Sequence, residues 1–272
     1  MAKRKKAKQK YDGPKILVFD IETTPVLTHI WSLRQKYIPI DMIKEDLFIL
    51  CWAAKWLHED KIINFKLPDF KSMYKKDKKN DLKLLEPLWD LLNEADMVVA
   101  HNGTRFDVPM VNARFLYHNF PPPDPYKIID TLTTARREFR LTSNKLDYIG
   151  QYLGLGKKNK TDFDLWIGCM NGDTKAWKTM MDYNIQDVHL LEEVYLQIRP
   201  WDKRHPNFGL YVSDSDPCCT ACGSKNLIKK GFEYTQVGMY RRWRCNDCSH
   251  PNRGRFTELP KDKRKTLLTN AV

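Results

Sequence analysis

Two carboxylates separated by one residue, Asp20 and Glu22, close the stretch Lys-Ile-Leu-Val-Phe-Asp-Ile-Glu-Thr-Thr-Pro at residues 15–25. Residues 16–19 are a short run of bulky apolar side chains between Gly13-Pro14 and Thr24-Pro25, the pattern of a buried strand. Side chains alternate along a strand, so both acids project from one face. Two anions held that close either raise a pKa or require a cation. Hard divalent ions such as Mg²⁺ and Mn²⁺ favour carboxylate oxygens over softer donors. A solvated acidic pair has the same Asp-x-Glu spelling, so partners elsewhere decide between the two. Asp107 stands just after an apolar run at 97–100, where ligand-binding groups of α/β sheets gather. Asp187 lies four residues after Tyr183 on a long helical pattern, which puts both on one face. They interrupt an apolar stripe there, either as a functional pair or as an exposed one.

A second group is of a different chemical kind. Cys219-Thr-Ala-Cys222 and Cys245-Asn-Asp-Cys248 are two Cys-x-x-Cys turns 22 residues apart, slightly more than the roughly 15–20 of the usual four-cysteine zinc pattern. The excess fits a hairpin arm. Four thiolates around one Zn²⁺ make a closed structural site, and so small a segment has too little core to fold without it. Cys218 is a spare thiol that could replace Cys219, and His250 could replace Cys248, although the paired spacing favours the four named first. Between the turns, Lys229, Lys230, Tyr234, Tyr240, Arg241, Arg242, Trp243 and Arg244 mix cations with aromatics, a combination that tracks phosphates and stacks bases. The alternative is a docking ribbon whose aromatics form a small core of their own.

The elements that must position these groups follow from periodicity. A strongly apolar run at 47–56 and a second at 61–65 suggest a hairpin. Residues 66–83 are lysine-rich and read as a long exposed loop. Leu85, Leu88, Trp89 and Leu92 fall at helical spacing, with Pro87 placing the start of the regular helix. Strands are expected at 97–100 and at 127–131, the latter ending at Asp130. A helix follows Asp107, with Val111 and Phe115 inward, and 121–123 closes it. Ser143-Asn144 should cap a helix bearing Leu146, Ile149 and Leu153, stopped by Gly154 and Gly156. The last large helix spans about 174–198, with Trp177, Leu190, Leu191, Val194 and Ile198 inward. Residues 30–43 have no assignable pattern. Proline and glycine at 200, 206, 209 and 217 break the chain after it. The organisation expected is a basic disordered arm at 1–13, an α/β (mixed α+β) domain at 14–198, a linker at 199–217, a ribbon at 218–256 and a loose basic tail at 257–272.

The chain has 272 residues, with 46 lysines and arginines against 34 acids, a net charge of +12. That length supports one well-buried core and a satellite domain, and the charge favours polyanionic partners, nucleic acid first. Nothing approaches the roughly 18 uninterrupted apolar residues of a membrane span, and the amino end lacks the apolar core of a secretion signal. A cytoplasmic protein is expected, in the host cytoplasm if viral. Cysteines crowded in a reducing compartment favour metal over disulfides, whereas Cys51 and Cys169 stand alone among apolar residues.

Asp20-Ile-Glu22, Asn102-Gly-Thr-Arg-Phe-Asp107 and Tyr183-Asn-Ile-Gln-Asp187 resemble, in order and separation, the three motifs of the DEDD 3′→5′ exonucleases, which have an RNase-H-like fold. The resemblance covers about residues 15–198. The Tyr-x-x-x-Asp form resembles the tyrosine subclass, DEDDy, similar to the proofreading domains of family A and B DNA polymerases; the histidine subclass would need His where this chain has Asp182. It implies a site for two Mg²⁺ or Mn²⁺ ions about 3.5–4 Å apart. Asp20 would bridge them, Glu22 and Asp187 would hold the water-activating ion, Asp107 would help hold the second, and Tyr183 would orient the water. Thr23, Asn102, Arg105 and Phe106 would meet the terminal nucleotide, although Phe106 could be core and Arg105 a surface charge, and His101 reads as a hydrogen-bonded histidine. The cysteine passage resembles zinc ribbons of DNA-binding transposition and transcription proteins. The reading is a stand-alone 3′→5′ exonuclease releasing nucleoside monophosphates from DNA, with RNA also admissible, a structural Zn²⁺ and a separate replication or recombination protein as companion. The alternatives are a structure-specific endonuclease of the same broad fold and an inert nucleic-acid-binding adaptor.

Overall fold

The computed structural model describes residues 13–156, 161–213 and 215–271. Apart from Gly13, the basic arm expected at 1–13 lies outside the described residues. Two compact units partition the chain, one comprising Lys15–Gln197 and the other Met1–Pro14 with Ile198–Val272.

The Lys15–Gln197 unit is built on β1 (Ile16–Thr23). Around it stand a two-stranded ribbon of β2 (Leu27–Thr28) and β3 (Ile43–Glu45), then β4 (Ile49–Trp56), β5 (Ile63–Lys66), β6 (Met97–Ala100) and β7 (Lys127–Asp130). The main sheet runs β5-β4-β1-β6-β7. β1 pairs antiparallel with β4 and parallel with β6, which in turn pairs parallel with β7. Ile16, Leu17, Val18, Phe19 and Ile21 are buried, as a strand central in a covered sheet requires, and Asp20, Glu22 and Thr23 at its end are partly exposed. The register slips after Glu22, where Glu22 faces Cys51 but Thr23 faces Ile49, so the strand bends away beside the acids.

Helices cover the sheet: α1 (Lys71–Lys76), α2 (Leu82–Glu94), α3 (Asp107–Tyr117), α4 (Thr131–Glu138), α5 (Leu146–Tyr152), α6 (Phe163–Asn171) and α7 (Thr174–Ile198). This is the expected mixed α/β architecture, a mixed sheet flanked by helices. Trp177, Leu190, Leu191, Val194 and Ile198 of α7 are buried as their spacing predicts. Asp81 is fully buried and accepts from Arg114 (2.7 and 2.8 Å), His118 (2.6 Å) and the Ile49 amide (3.0 Å), tying α3 and β4 to the start of α2.

Several expectations need correction. Residues 66–83 are not one exposed loop: Leu67 is buried, Phe70 packs on Phe65 (5.6 Å between rings) and Tyr74 on Trp177 (6.4 Å), so α1 forms despite the lysines. α2 starts at Leu82 and passes through Pro87; the lost amide hydrogen bond is offset by burial of Leu84, Leu85, Leu88 and Leu92 on both sides of it. Ser143 accepts from the Lys145 amide, but α5 begins only at Leu146, and Leu153 falls outside it, half-exposed, where Gly154 turns the chain. α4 and α6 were not foreseen.

In the other unit, β8 (Leu227–Tyr234), β9 (Met239–Cys245) and β10 (Pro251–Thr257) form an antiparallel sheet in the order β10-β9-β8. Residues 199–217 contain two short 3-10 turns, Arg199–Trp201 and Phe208–Leu210, with Phe208 buried. The expected loose tail holds a short helix, α8 (Lys261–Lys265), and Glu258 pairs with Arg241 at 2.8 Å. No described helix is long and apolar enough to cross a membrane.

Candidate active site and cysteine cluster

Asp20 and Glu22 leave the end of β1 on one face, as alternation demands, and Asp187 meets them from α7. One carboxylate oxygen of each lies within 4.8 Å of the others. Asn184, fully buried one turn before Val188, donates to Asp20 Oδ2 at 2.7 Å and so locks that side chain against the helix. Asp107 opens α3, almost wholly buried, and accepts from the Ile21 amide at 3.4 Å, on the strand between the two acids. Burial pushes its carboxyl up to about 7; the Asp130 charge adds to the effect, and the amides of Asp107 and Ile21 oppose it.

Tyr183 stands one helical turn before Asp187 with its ring edge-on to Trp166, 6.3 Å away. Its phenol is held well above the ordinary range, first by burial, then by the charges of Asp187, Glu22 and Asp20. Near neutral pH it is therefore a proton donor and cannot act as a base.

Asp20, Glu22, Tyr183 and Asp187 line a cleft of about 670 Å³ with Phe106, His101, Arg136 and Lys145. Asp107 is not on that wall. Thr23 lines a neighbouring hollow beside Phe163 and Trp166, and Arg105 is exposed outside the cleft lining. His101 has both ring nitrogens engaged, with Thr131 Oγ1 and the Asn144 carbonyl at 2.9 Å each, as its structural reading requires. Asn102 takes a left-handed conformation (φ 72°), and its amide donates to Asp130 Oδ1 at 3.1 Å. Gly103 is obligatory in that turn, since a Cβ there would sit 2.5 Å from the Ala100 methyl.

Sequence reasoning missed four participants. Asn184 lies inside the third motif without a role assigned to it. Asp130 was read only as a strand end; it caps α4 through the Leu132 and Thr133 amides and fixes the 102–104 turn through two more. Arg136 and Lys145 supply the cleft's cations from α4 and the turn before α5. The Asp130-Thr131-x-Thr133 spelling of a helix cap was the one available signal.

The oxygen donors fit a hard divalent cation: three carboxylates within 4.8 Å repel one another strongly, and Asn184 is neutral. The thiols fit a different ion. Cys219 and Cys248 sulfurs are 3.6 Å apart, as are those of Cys222 and Cys245. A disulfide would require about 2.05 Å, whereas a tetrahedron of thiolates about 2.3 Å from zinc has edges of roughly 3.8 Å. Both turns share a construction. Gly223 and Ser249, each four residues after the first cysteine, are left-handed, and each returns its amide to that cysteine's carbonyl, at 2.8 and 3.0 Å. Asp247 joins them by accepting from Ser224 and Asn226. Cys218 and His250 stay outside the cluster, and His250 engages the Pro200 carbonyl. Hydrogen bonds with Cys222 and Cys248 pull the Cys219 thiol far down, while its partners are pushed up, Cys248 to about 11.

Much of the ribbon's cation and aromatic content is spent within its own sheet. Arg241 lies 3.9 Å over Phe232, and Arg253 lies 4.6 Å over Tyr240. Lys230, Arg242, Trp243 and Arg244 nevertheless line a hollow of about 410 Å³.

In a chain that matches the family profile of the RNase_H superfamily, the acid-lined cleft supports a nuclease of RNase-H-like fold. The family profile of the RNase_H superfamily matches residues 56–198, and the chain belongs to that superfamily. The matched span includes Asp107, Tyr183 and Asp187; β1 with Asp20 and Glu22 precedes it. No curated protein sequence matches the chain. Among solved structures it is similar to the family B DNA polymerase from the hyperthermophilic archaeon Pyrobaculum calidifontis, at 16% identity and a TM-score of 0.48 over 69% of this chain. The chain spans about a quarter, 25%, of that polymerase's length.

Proposed function

We propose that this protein is a metal-dependent 3′→5′ exonuclease acting on DNA. One observation carries the reading: Asp20 and Glu22 from the start of the chain and Asp187 from a distant helix offer oxygens within 4.8 Å of one another, with Tyr183 one turn away. Asp20, Glu22 and Asp187 would hold divalent cations of the Mg²⁺ or Mn²⁺ class, and Asp107, which accepts from the Ile21 amide, would join them. Such ions, when bound, supply an acidified water and neutralise charge on the phosphoryl group.

The protein's own part is positional. Asn184 fixes Asp20, the protonated Tyr183 phenol donates a hydrogen bond and orients the attacking water, and Arg136 and Lys145 attract the phosphodiester. Phe106 at the cleft wall would pack against the terminal base. In the ribbon, Cys219, Cys222, Cys245 and Cys248 would hold one structural Zn²⁺, and Lys230, Arg242 and Arg244 would meet backbone phosphates.

The test uses 5′-labelled linear and circular single-stranded DNA with Mg²⁺ or Mn²⁺. Linear strands shortening stepwise from the 3′ end, with circles intact, are the expected result. Asp187→Asn should lose several kcal/mol of transition-state stabilisation, a rate loss of about 10³-fold, with folding intact. Cut circles would replace the reading with an endonuclease, and unchanged activity in the variant would reject the site.

A further inference from the structure

The excursion at residues 27–45 is the part of the nuclease unit that its fold does not explain. It leaves the sheet where β1 and β4 part, three residues after Glu22. The root is clamped: Thr24 is buried, its amide donates to the Phe48 carbonyl at 3.0 Å, and its hydroxyl accepts from the Phe48 amide at 3.1 Å. From there β2 and β3 pair as a two-stranded ribbon whose outer loop is residues 29–42. Nine of the 24 large apolar side chains exposed among the described residues fall between Val26 and Ile43. Trp31 is 91% exposed, Leu33 95%, Tyr37 73% and Ile40 81%.

That exposure is held in shape. His29 donates its amide to the Met42 carbonyl (3.1 Å), Thr28 its hydroxyl to the same carbonyl (2.9 Å), and Gln35 its side chain to the Tyr37 carbonyl (2.8 Å). A loop that folds on itself yet turns its aromatics outward presents a surface for something else.

The charges choose the occupant. Arg34, Lys36 and Lys44 are exposed among these aromatics against one exposed acid, Asp41, because the segment's other acid, Glu45, is half-buried and pairs with Lys79, whereas a protein-binding core is depleted of charge. Cations interleaved with flat rings fit a polyanion that carries flat rings of its own. We infer that residues 27–45 form a stacking arm for unpaired single-stranded nucleic acid, with Trp31 and Tyr37 receiving bases and Arg34 and Lys36 meeting phosphates. The inference rests on the exonuclease reading for its direction: the strand held on the arm is the one whose 3′ end enters the carboxylate cleft.

The length of the loop sets its reach. Half of 29–42 can extend at most about 24 Å, which is at most roughly seven nucleotides at the spacing of about 3.4 Å in a stacked strand, and fewer for a splayed one. Substrates of about three nucleotides would gain little from the arm, and lengthening beyond about ten would gain nothing more.

The full-length chain tests this with single-stranded oligo(dT) of about three and about twelve nucleotides, by KM in turnover and by fluorescence anisotropy without divalent metal. In Trp31→Ala/Tyr37→Ala the KM advantage of the long substrate should fall about 25-fold, from at least about five-fold per aromatic. Its kcat on the long substrate should hold, and Trp31→Phe/Tyr37→Phe should restore the advantage. Arg34→Ala/Lys36→Ala should lower the salt slope of binding by about 1.4. An unchanged KM ratio with unchanged anisotropy overturns the arm, as does a wild-type dimer that the double alanine variant dissolves. If neither oligonucleotide is shortened, the exonuclease reading fails, and anisotropy alone then decides the arm.

Discussion

The two units solve opposite problems with the same kind of device, a cluster of potential metal ligands. In the Lys15–Gln197 unit the acids decorate a fold that already has a core: β1, β4 and β6 are buried almost throughout, and the four leucines of α2 are fully buried beneath them. In the other unit the cluster is itself the core, since its buried apolar cluster is Cys219, Ala221 and Cys245, with Cys222, Leu227 and Cys248 packed around it. One fold positions its ligands; the other depends on them. Clustered repelling anions can be afforded only where apolar burial has settled the structure, whereas a sheet with so little to bury gains most from an ion that would close it.

Removing zinc should break the second unit alone, and this is the largest effect expected. Four-thiolate sites of this size supply about 10–16 kcal/mol of apparent binding free energy at neutral pH, which here becomes folding free energy. Cys245→Ser, or a strong chelator, should open the 218–258 region to limited proteolysis and abolish a stoichiometric zinc signal. The thermal transition of the Lys15–Gln197 unit should stay in place. A ribbon that resists proteolysis without metal would end the contrast.

What could be read in the chain beforehand follows the same line. The acids, Tyr183 and the cysteines were legible because each group sits on a local period: Asp20 and Glu22 two apart on a strand, Tyr183 and Asp187 four apart on a helix, and the thiols in paired turns. Arg136 and Lys145 were not, because their place in the cleft depends on how α4 and the turn before α5 lie against β1, which no local spacing records. α1 escaped for a related reason. Its lysines dominate the composition, but Tyr74 finds a ring partner on α7, far away in sequence, while Phe70 packs on Phe65 of the strand just before it. Pro87 misled in the other direction, because the rule that proline breaks a helix yields where buried leucines flank it on both sides.

The nuclease unit should instead respond to charge. Without divalent metal, Asp107 binds its proton more tightly folded, with a pKa of about 7, than unfolded near 3.8. Between those values the native state carries more protons than the unfolded one, so this group's contribution to stability falls as pH rises through that window and is fully lost above about 7. The shift bounds the effect at about 4 kcal/mol. Asp107→Asn should remove that slope in metal-free denaturant titrations, stabilising the unit at pH 8 more than at pH 4. Identical slopes for the two proteins would mean that burial of Asp107 costs nothing, and that the acids are not held against their preference.

The smallest effect tests how far the fold, rather than the ion, places the ligands. Asn184 is fully buried and its amide donates to Asp20 Oδ2, so it fixes that carboxylate while standing outside the cluster of Asp20, Glu22 and Asp187. Asn184→Ala removes that hydrogen bond from the Asp20 carboxylate, a change beside a metal ligand that typically costs about 10–100-fold in metal affinity. The half-saturating Mg²⁺ concentration should rise by that factor while kcat at saturating Mg²⁺ stays near wild type. Were kcat to fall with metal affinity unchanged, Asn184 would be acting on the substrate, and the rigid placement of Asp20 would have to come from β1 alone.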